Sequence, residues 1–176
     1  MNNKTNTLQQ NAPPSRPLDD FDRKILNALT EDARLTYAEI GKMAALSAPA
    51  VYERVKRLKA SGVLQGTTTS INGIKVGKPF LAFVHVQSSG WGKGEHMMAL
   101  RDLPEVEELH SVAGDACLIL KVRTENAGAM EDFLAYLYSL PSVTGTKSYI
   151  ALSTYLERPI QPNITQDWPK PIAPKE

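Results

Sequence analysis

Between Lys42 and Lys59 the chain sets five basic side chains, Lys42, Arg54, Lys56, Arg57 and Lys59, against one acid, Glu53. The local charge is +4, where the whole chain carries +1. Cations concentrated on one rod suit contact with a polyanion, because they neutralise phosphates and release counterions. The spacing makes the rod a helix. Val51, Val55 and Leu58 recur at i, i+4, i+7 as one apolar stripe. Pro49, Glu53, Lys56 and Arg57 fall on the far side, flanked by Tyr52 and Lys59. Ser47 is a good N-cap, and Ala48 and Pro49 occupy the first turn, where proline's missing N–H costs nothing. Gly62 is the expected residue just past the C-terminus. On this reading Pro49 sets the helix entry, Tyr52 and Lys56 reach base edges, and Arg54, Arg57 and Lys59 hold phosphates. Thr36, Ser47, Ala48 and Glu53 complete the candidate contact set. The opposing reading is a helical hairpin with a solvated basic face.

A second helix must brace this one. Thr36 is followed three residues later by Glu39, a capping box. The helix it starts runs through Ile40, Met43 and Ala44 and stops near Ala45-Leu46, leaving a turn of about three residues before Ser47. A third helix precedes both over Leu18 to Ala33, capped by Asp19 or Asp20, with Phe21, Ile25, Leu26 and Leu29 as its buried face. The three make a helix-turn-helix unit over 18–64. Val63 to Ile71 turns β-like and reads as a small wing or as a β linker over 65–78, with Asn72-Gly73 and Gly77 as turn signals.

Other chemistry is excluded. No nucleophile–base pair is legible, and the chain is not expected to be an enzyme. His85, His96 and His110 lack metal-ligand spacing, so no metal or cofactor is expected. The glycines of Ser88–Gly94 are followed by no Lys-Ser/Thr and are no phosphate loop. The single cysteine, Cys117, rules out an internal disulfide and reads as a small buried apolar residue. No apolar run reaches the ~18 residues of a membrane span, and the N-terminus lacks an apolar signal core. A cytoplasmic chain is expected.

The chain of 176 residues is 42% hydrophobic, enough for one or two packed domains. Residues 1–62 carry ten bases and seven acids, and residues 63–158 carry eight and ten. A basic front half is thus joined to a mildly acidic body. Eight of the twelve prolines lie in 1–17 and 159–176. Both tails are expected to be disordered.

From Pro79 the period changes. Phe80–Gln87 reads as a strand apolar on both faces. Lys93–Leu103 reads as a helix with Met97 and Leu100 inward. Glu107–Ala113 and Ala116–Arg123 are strands joined by the turn signal Gly114-Asp115. Asn126–Leu140 is a helix with Met130, Phe133, Leu134 and Leu137 inward, and Val143–Leu156 is a final strand. The order β-α-β-β-α-β over 79–158 gives a ferredoxin-like α+β sandwich: a four-stranded antiparallel sheet with both helices on one face. Phe83 and Ile119 would then lie on the uncovered face. Two such faces are expected to pack together as a homodimer that reads a two-fold DNA site.

The segments LDDFDRKILNAL, LSAPAVYERVKRLKASGVLQG, HSVAGDACLILKV and LPSVTGTKSYIAL, in that order, resemble the leucine-responsive / asparagine-responsive (feast–famine) regulators over residues 18–157. The resemblance implies a transcriptional regulator with a plain or winged helix-turn-helix and a β linker. It also implies a dimer assembling to tetramers or octamers, and an amino acid or related metabolite bound in the second domain. The family's effector loop, Gly-Asp-aromatic-Asp, falls on Gly114, Asp115, Ala116 and Cys117. Here Ala116 replaces the aromatic residue and Cys117 the second acid. The thiol removes one partner for an α-ammonium group, which leaves Asp115 or main-chain carbonyls. Ser111, Val112, Thr146 and Ser153, on strands beside the turn, are further effector candidates. A hairpin turn needing glycine is the plain alternative for Gly114. Two rivals remain: a nucleoid protein that wraps DNA without an effector, and an enzyme like the sirohaem decarboxylases, which are similar in architecture.

Overall fold

The computed structural model describes residues 17–90 and 94–168. It divides into a helical unit, the chain up to Thr68 with the residues from Arg158 onward, and an α/β unit, Thr69–Glu157.

The helical unit contains α1 (Asp20–Glu31), α2 (Tyr37–Ala44) and α3 (Ala48–Ala60). All three starts are capped by side chains. Asp19 Oδ1 accepts the Asp22 N–H at 2.9 Å, and the Asp22 carboxylate accepts the Asp19 N–H at 3.4 Å. Thr36 and Glu39 exchange the same pair of bonds at 3.3 and 2.7 Å. Ser47 Oγ accepts from Ala50 at 3.4 Å. These bonds satisfy donors that a helix start otherwise leaves orphaned. Ile25, Leu26, Ala28, Ile40, Ala44, Val51, Val55 and Leu58 form the core. The turn from α2 to α3 is tight. Ala45 adopts the left-handed region at φ 56°, and Leu46 N–H donates to the Gly41 carbonyl at 2.8 Å. A Cβ on Gly41 would stand 2.5 Å from the Leu46 carbonyl oxygen. Only glycine lets this turn close onto α2.

The α/β unit runs β1 (Phe80–Ser88), α4 (Glu95–Met98), a 3-10 turn (Ala99–Asp102), β2 (Val106–Ser111), β3 (Leu118–Thr124), α5 (Ala127–Ser139) and β4 (Val143–Ile150). The strands pair antiparallel in the order β2-β3-β1-β4. One face, Ala82, Val84, Val86, Leu118, Leu120 and Val122, packs with Met97, Leu100, Met130, Phe133 and Leu137 from the helices. The other face carries Phe83, exposed at 41%, and Tyr149, at 46%. This is the expected split β-α-β arrangement.

Several boundaries differ from the sequence reading. No strand or wing forms over 63–78: residues 65–72 are irregular and 73–77 make a turn. Val63 and Leu64 pack on the helical core instead, and Leu64 N–H donates to the Leu58 carbonyl at 3.0 Å. The helix expected over 93–103 is a short α4 running into the 3-10 turn, and Lys93 lies outside the described residues. The last strand stops at Ile150, not Leu156. Its partner β1 begins at Phe80, and the final bond across runs from Ala151 N–H to Leu81 O at 2.9 Å. Phe21 is not buried but half-exposed, with the Lys24 and Arg54 cations over its ring. Of the tails, 1–16 and 169–176 lie outside the described residues. Residues 159–168 carry no helix or strand, yet they are not detached. Arg23 donates to the Pro162 carbonyl and Asn27 to Asn163 Oδ1, at 3.0 Å for the latter.

Candidate nucleic-acid interface

α3 buries Val51, Val55 and Leu58 and turns Ser47, Pro49, Tyr52, Glu53, Lys56 and Lys59 to solvent. Pro49, Glu53 and Lys56 of the outer stripe are thus exposed, while Arg57 is half-buried. Ala48 is half-buried in the first turn. Tyr52 is braced by Tyr37 of α2, ring edge to face at 5.7 Å. The Thr36 hydroxyl is engaged in its capping box, donating to Glu39 Oε2 at 2.7 Å. Those bonds, from the Thr36 backbone first and its side chain second, hold the Glu39 carboxyl below its ordinary value. Lys59 lies two turns from Tyr52 and lines an open cleft of about 410 Å3 with Leu29, Thr36, Tyr37 and Leu64.

The two arginines differ from the expectation. Arg54 Nη1 donates to Asp19 Oδ2 and to Asp22 Oδ1, each at 2.8 Å. Arg57 Nη2 donates to both Asp22 oxygens at 2.7 and 2.9 Å. The hydrogen bond with Asp19 is the main cause of the raised Arg54 pKa. On the wheel Arg54 borders the buried stripe, so its guanidinium meets α1 before it meets water. Among the described residues Lys42, Lys56 and Lys59 form no ion pair. Of the five cations, Arg54 and Arg57 are thus engaged with α1, and Lys42, Lys56 and Lys59 are not.

In the α/β unit the loop 112–117 joins β2 to β3. Val112 N–H donates to the Cys117 carbonyl at 3.1 Å, and Cys117 N–H to Val86 O at 2.9 Å. Gln87 Nε2 ties the loop to β1 through the Asp115 carbonyl at 3.2 Å. The half-buried Cys117 Sγ lies 4.0 and 3.9 Å from the Ser88 and Gly90 carbonyl oxygens, and hydrogen bonding with Ser88 lowers its pKa. Asp115 is exposed, while Ala116 is buried. Gly114 has no left-handed φ, and a Cβ there would meet nothing within 4 Å. The turn therefore does not need glycine for backbone reasons. Ser111, Leu118, Val86 and Thr146 form one transverse row, which places Ser111 and Thr146 on opposite sheet edges. Thr146 N–H donates to Tyr138 Oη at 3.2 Å. Ser153 follows β4 at the other end of the sheet, away from the loop. Asp115 and Cys117 are brought to the end of β1, where Thr146 pairs with Val86 from the β4 side; Ser153 is not.

Comparison with known proteins decides the family. Residues 18–59 match the AsnC-type helix-turn-helix domain and residues 81–161 the Lrp/AsnC ligand binding domain. The chain is 33% identical over 141 residues to the HTH-type transcriptional regulator FL11 of Pyrococcus horikoshii, covering 80% of this chain and 93% of that one. The chain belongs to the Lrp/AsnC family of transcriptional regulators. It is 38% identical over 139 residues to the HTH-type transcriptional regulator LrpA of Mycobacterium tuberculosis, covering 78% and 92% of the two chains. A solved structure of a Neisseria meningitidis transcriptional regulator in complex with L-Met superposes with a TM-score of 0.75 at 25% identity, covering 81% of this chain and 94% of that one.

For a Lrp/AsnC regulator the helix-turn-helix is the DNA-binding element, and the residues that shape it were only partly legible. Gly41, Tyr37, Asp19 and Asp22 were not singled out as supports of α3. A signal existed for the last two: acids three apart at 19 and 22 and arginines three apart at 54 and 57 can face each other from two helices. No helix of the described residues is long and apolar enough to cross a membrane.

Proposed function

We propose that the chain reads a two-fold symmetric site in duplex DNA with one α3 from each of two protomers, and that an amino acid or related metabolite bound in the α/β unit tunes its assembly. The observation that carries the DNA reading is the outer stripe of α3. Pro49, Tyr52, Glu53 and Lys56 face water with no partner in their own unit among the described residues beyond the Tyr37 brace. Tyr52 and Lys56 are the base-edge candidates; Lys42 and Lys59 are the phosphate candidates. Pairing of the open sheet faces supplies the second α3, and further association gives tetramers or octamers. The relative bound to L-Met supports an effector of amino-acid class. The 112–117 loop, with Gly114, the Asp115 carboxylate and the Ser88 and Gly90 carbonyls nearby, supplies partners for an α-ammonium group. Effector action requires unequal affinity for two assembly states.

The test is selection from a random duplex pool, followed by titration of recovered and scrambled duplexes and a thermal-shift screen over the twenty amino acids. The expected result is an inverted-repeat consensus bound at least ~10³-fold more tightly than scrambled DNA, with one or more amino acids raising the melting temperature. Equal affinity across fragments with no shift from any amino acid would overturn the reading in favour of an effector-free DNA-wrapping protein.

A further inference from the structure

Asp22 is the one fully buried carboxylate among the described residues, 2% exposed at the N-terminus of α1. Its oxygens receive Arg57 Nη2 at 2.7 and 2.9 Å, Arg54 Nη1 at 2.8 Å and the Asp19 backbone N–H at 3.4 Å. Asp19 takes Arg54 Nη1 at 2.8 Å on each oxygen. Two acids thus meet two guanidiniums, and the Arg54 guanidinium covers the Phe21 ring at 5.3 Å. No buried polar side-chain atom lacks a partner among the described residues.

The cluster joins α1 to the recognition helix where apolar packing alone is weak in direction. Val51, Val55 and Leu58 present a smooth stripe, and burial of such a stripe is non-directional. A forked, charge-assisted set of bonds is directional and fixes the rotation of α3 about its axis. Rotation matters at the far side of the same rod. With side-chain tips at roughly 5–6 Å from the axis, a turn of about 20° moves Tyr52 or Lys56 by about 2 Å. Recognition geometry tolerates only about 0.5 Å and 10–20°.

We infer that Asp22 is a positioning residue for DNA reading: it locks the rotation of α3 through Arg54 and Arg57, and those arginines serve the helix rather than the phosphates. This rests on the proposal that α3 reads duplex DNA. It assigns sequence discrimination to a side chain on α1 that touches no DNA, and removes two cations from the phosphate count.

The test uses the full chain, the duplex that the wild type recovers from a random pool, and a scrambled duplex of equal length. Asp22→Asn, Arg57→Gln and the double variant are titrated over a salt series. Each single variant is expected to lower the recovered-to-scrambled affinity ratio on the order of tenfold, the size of one lost base-pair readout. The double is expected to fall no further, and the salt slope of Arg57→Gln to stay at the wild-type value. An Arg57→Gln slope smaller by about 0.9 per contact with an unchanged ratio makes Arg57 a phosphate ligand and overturns the inference. So do additive losses in the double variant. Should thermal unfolding show Asp22→Asn unfolded at the assay temperature, Arg57→Gln carries the decision alone, because its side chain is 41% exposed and its loss leaves Asp22 with Arg54. A wild type that treats the two duplexes alike overturns the DNA-reading proposal itself, and this inference with it.

Discussion

Replacing Lys56 by alanine tests the outer stripe of α3 most directly. Lys56 is exposed on the helix flank opposite the buried Leu58 and has no ion-pair partner among the described residues. Its removal should leave the fold intact, since surface positions away from packing usually change stability by less than about 0.5 kcal/mol. The effect on binding can be worked out. If the ammonium meets one phosphate in each half-site, a dimer loses two contacts and the slope of log affinity against log salt falls by about 1.8. At 0.15 M salt that corresponds to an affinity loss of about thirtyfold on any duplex, shrinking as salt rises. If the ammonium meets a base edge instead, the slope stays and the loss of roughly 1–3 kcal/mol per half-site falls on the preferred sequence alone. Fluorescence anisotropy with preferred and scrambled duplexes over 0.05–0.3 M salt, a range of about sixfold, separates the two patterns. An unchanged slope together with an unchanged ratio refutes the placement of this face against DNA.

Other outcomes follow from local geometry. Gly41→Ala forces a Cβ to 2.5 Å from the Leu46 carbonyl oxygen, so chemical denaturation should show a loss of about 1–3 kcal/mol; wild-type stability would mean the turn opens freely. Thr36→Ala removes the capping box and should cost about 1 kcal/mol in the same assay. Burial pushes the Glu107 carboxyl up, but hydrogen bonds from Arg123 and Lys121 outweigh it and hold it below its ordinary 4.5. Its contribution is therefore complete above about pH 4.5 and disappears as pH falls through the lower folded value. Glu107→Gln should flatten the acid limb of the stability profile, and an unaltered limb would dismiss the ion pair as a stabilising contact. Phe83→Asp places a charge on the open sheet face and should yield monomers in sedimentation; a persisting dimer would move the interface elsewhere.

Periodicity made most of the architecture legible. A stripe at i, i+4, i+7 identifies Val51, Val55 and Leu58 as buried, and alternation in β3 sorts Leu118, Leu120 and Val122 from Ile119 and Lys121. What escaped depends on contacts between elements. The β character of Val63 and Leu64 is real as local propensity, yet the helical core offers both an apolar site that no strand partner matches. β4 was read as too long because its length is set by where β1 starts, a property of the pairing and not of β4. Arg54 and Arg57 were assigned by sign and wheel angle alone. Their partners sit 35 residues away for Arg57 and both 32 and 35 away for Arg54, and single-helix reasoning does not bring α1 into view. Gly114 shows the reverse case, in which a turn signal in sequence is not a backbone requirement in space.

On the proposed pairing of two copies, the open sheet face would not rely on apolar area alone. Across it, Tyr149, Phe83 and Lys121 occupy one row and Lys147, His85 and Ile119 the next. The His85 ring meets Tyr149 at 5.1 Å, tilted by 57°, so the apolar part is a short diagonal band of Tyr149, Phe83, His85 and Ile119. Beside it Lys121 and Arg123 meet Glu107 at 3.1 and 2.5 Å, and both also reach Glu157. Glu108 also reaches Lys121 at 3.7 Å, so both bases of this cluster are paired within one chain. Burying it against a second copy would cost far less than burying unpaired charge, because each ion keeps its partner. In such a pair the band would supply the attraction and the charged border would penalise registers that set like charges together. A purely apolar face would bind many surfaces; on the proposed pairing, one band bordered by an ion network would favour its own twofold image, the symmetry that two α3 helices would need to read an inverted repeat.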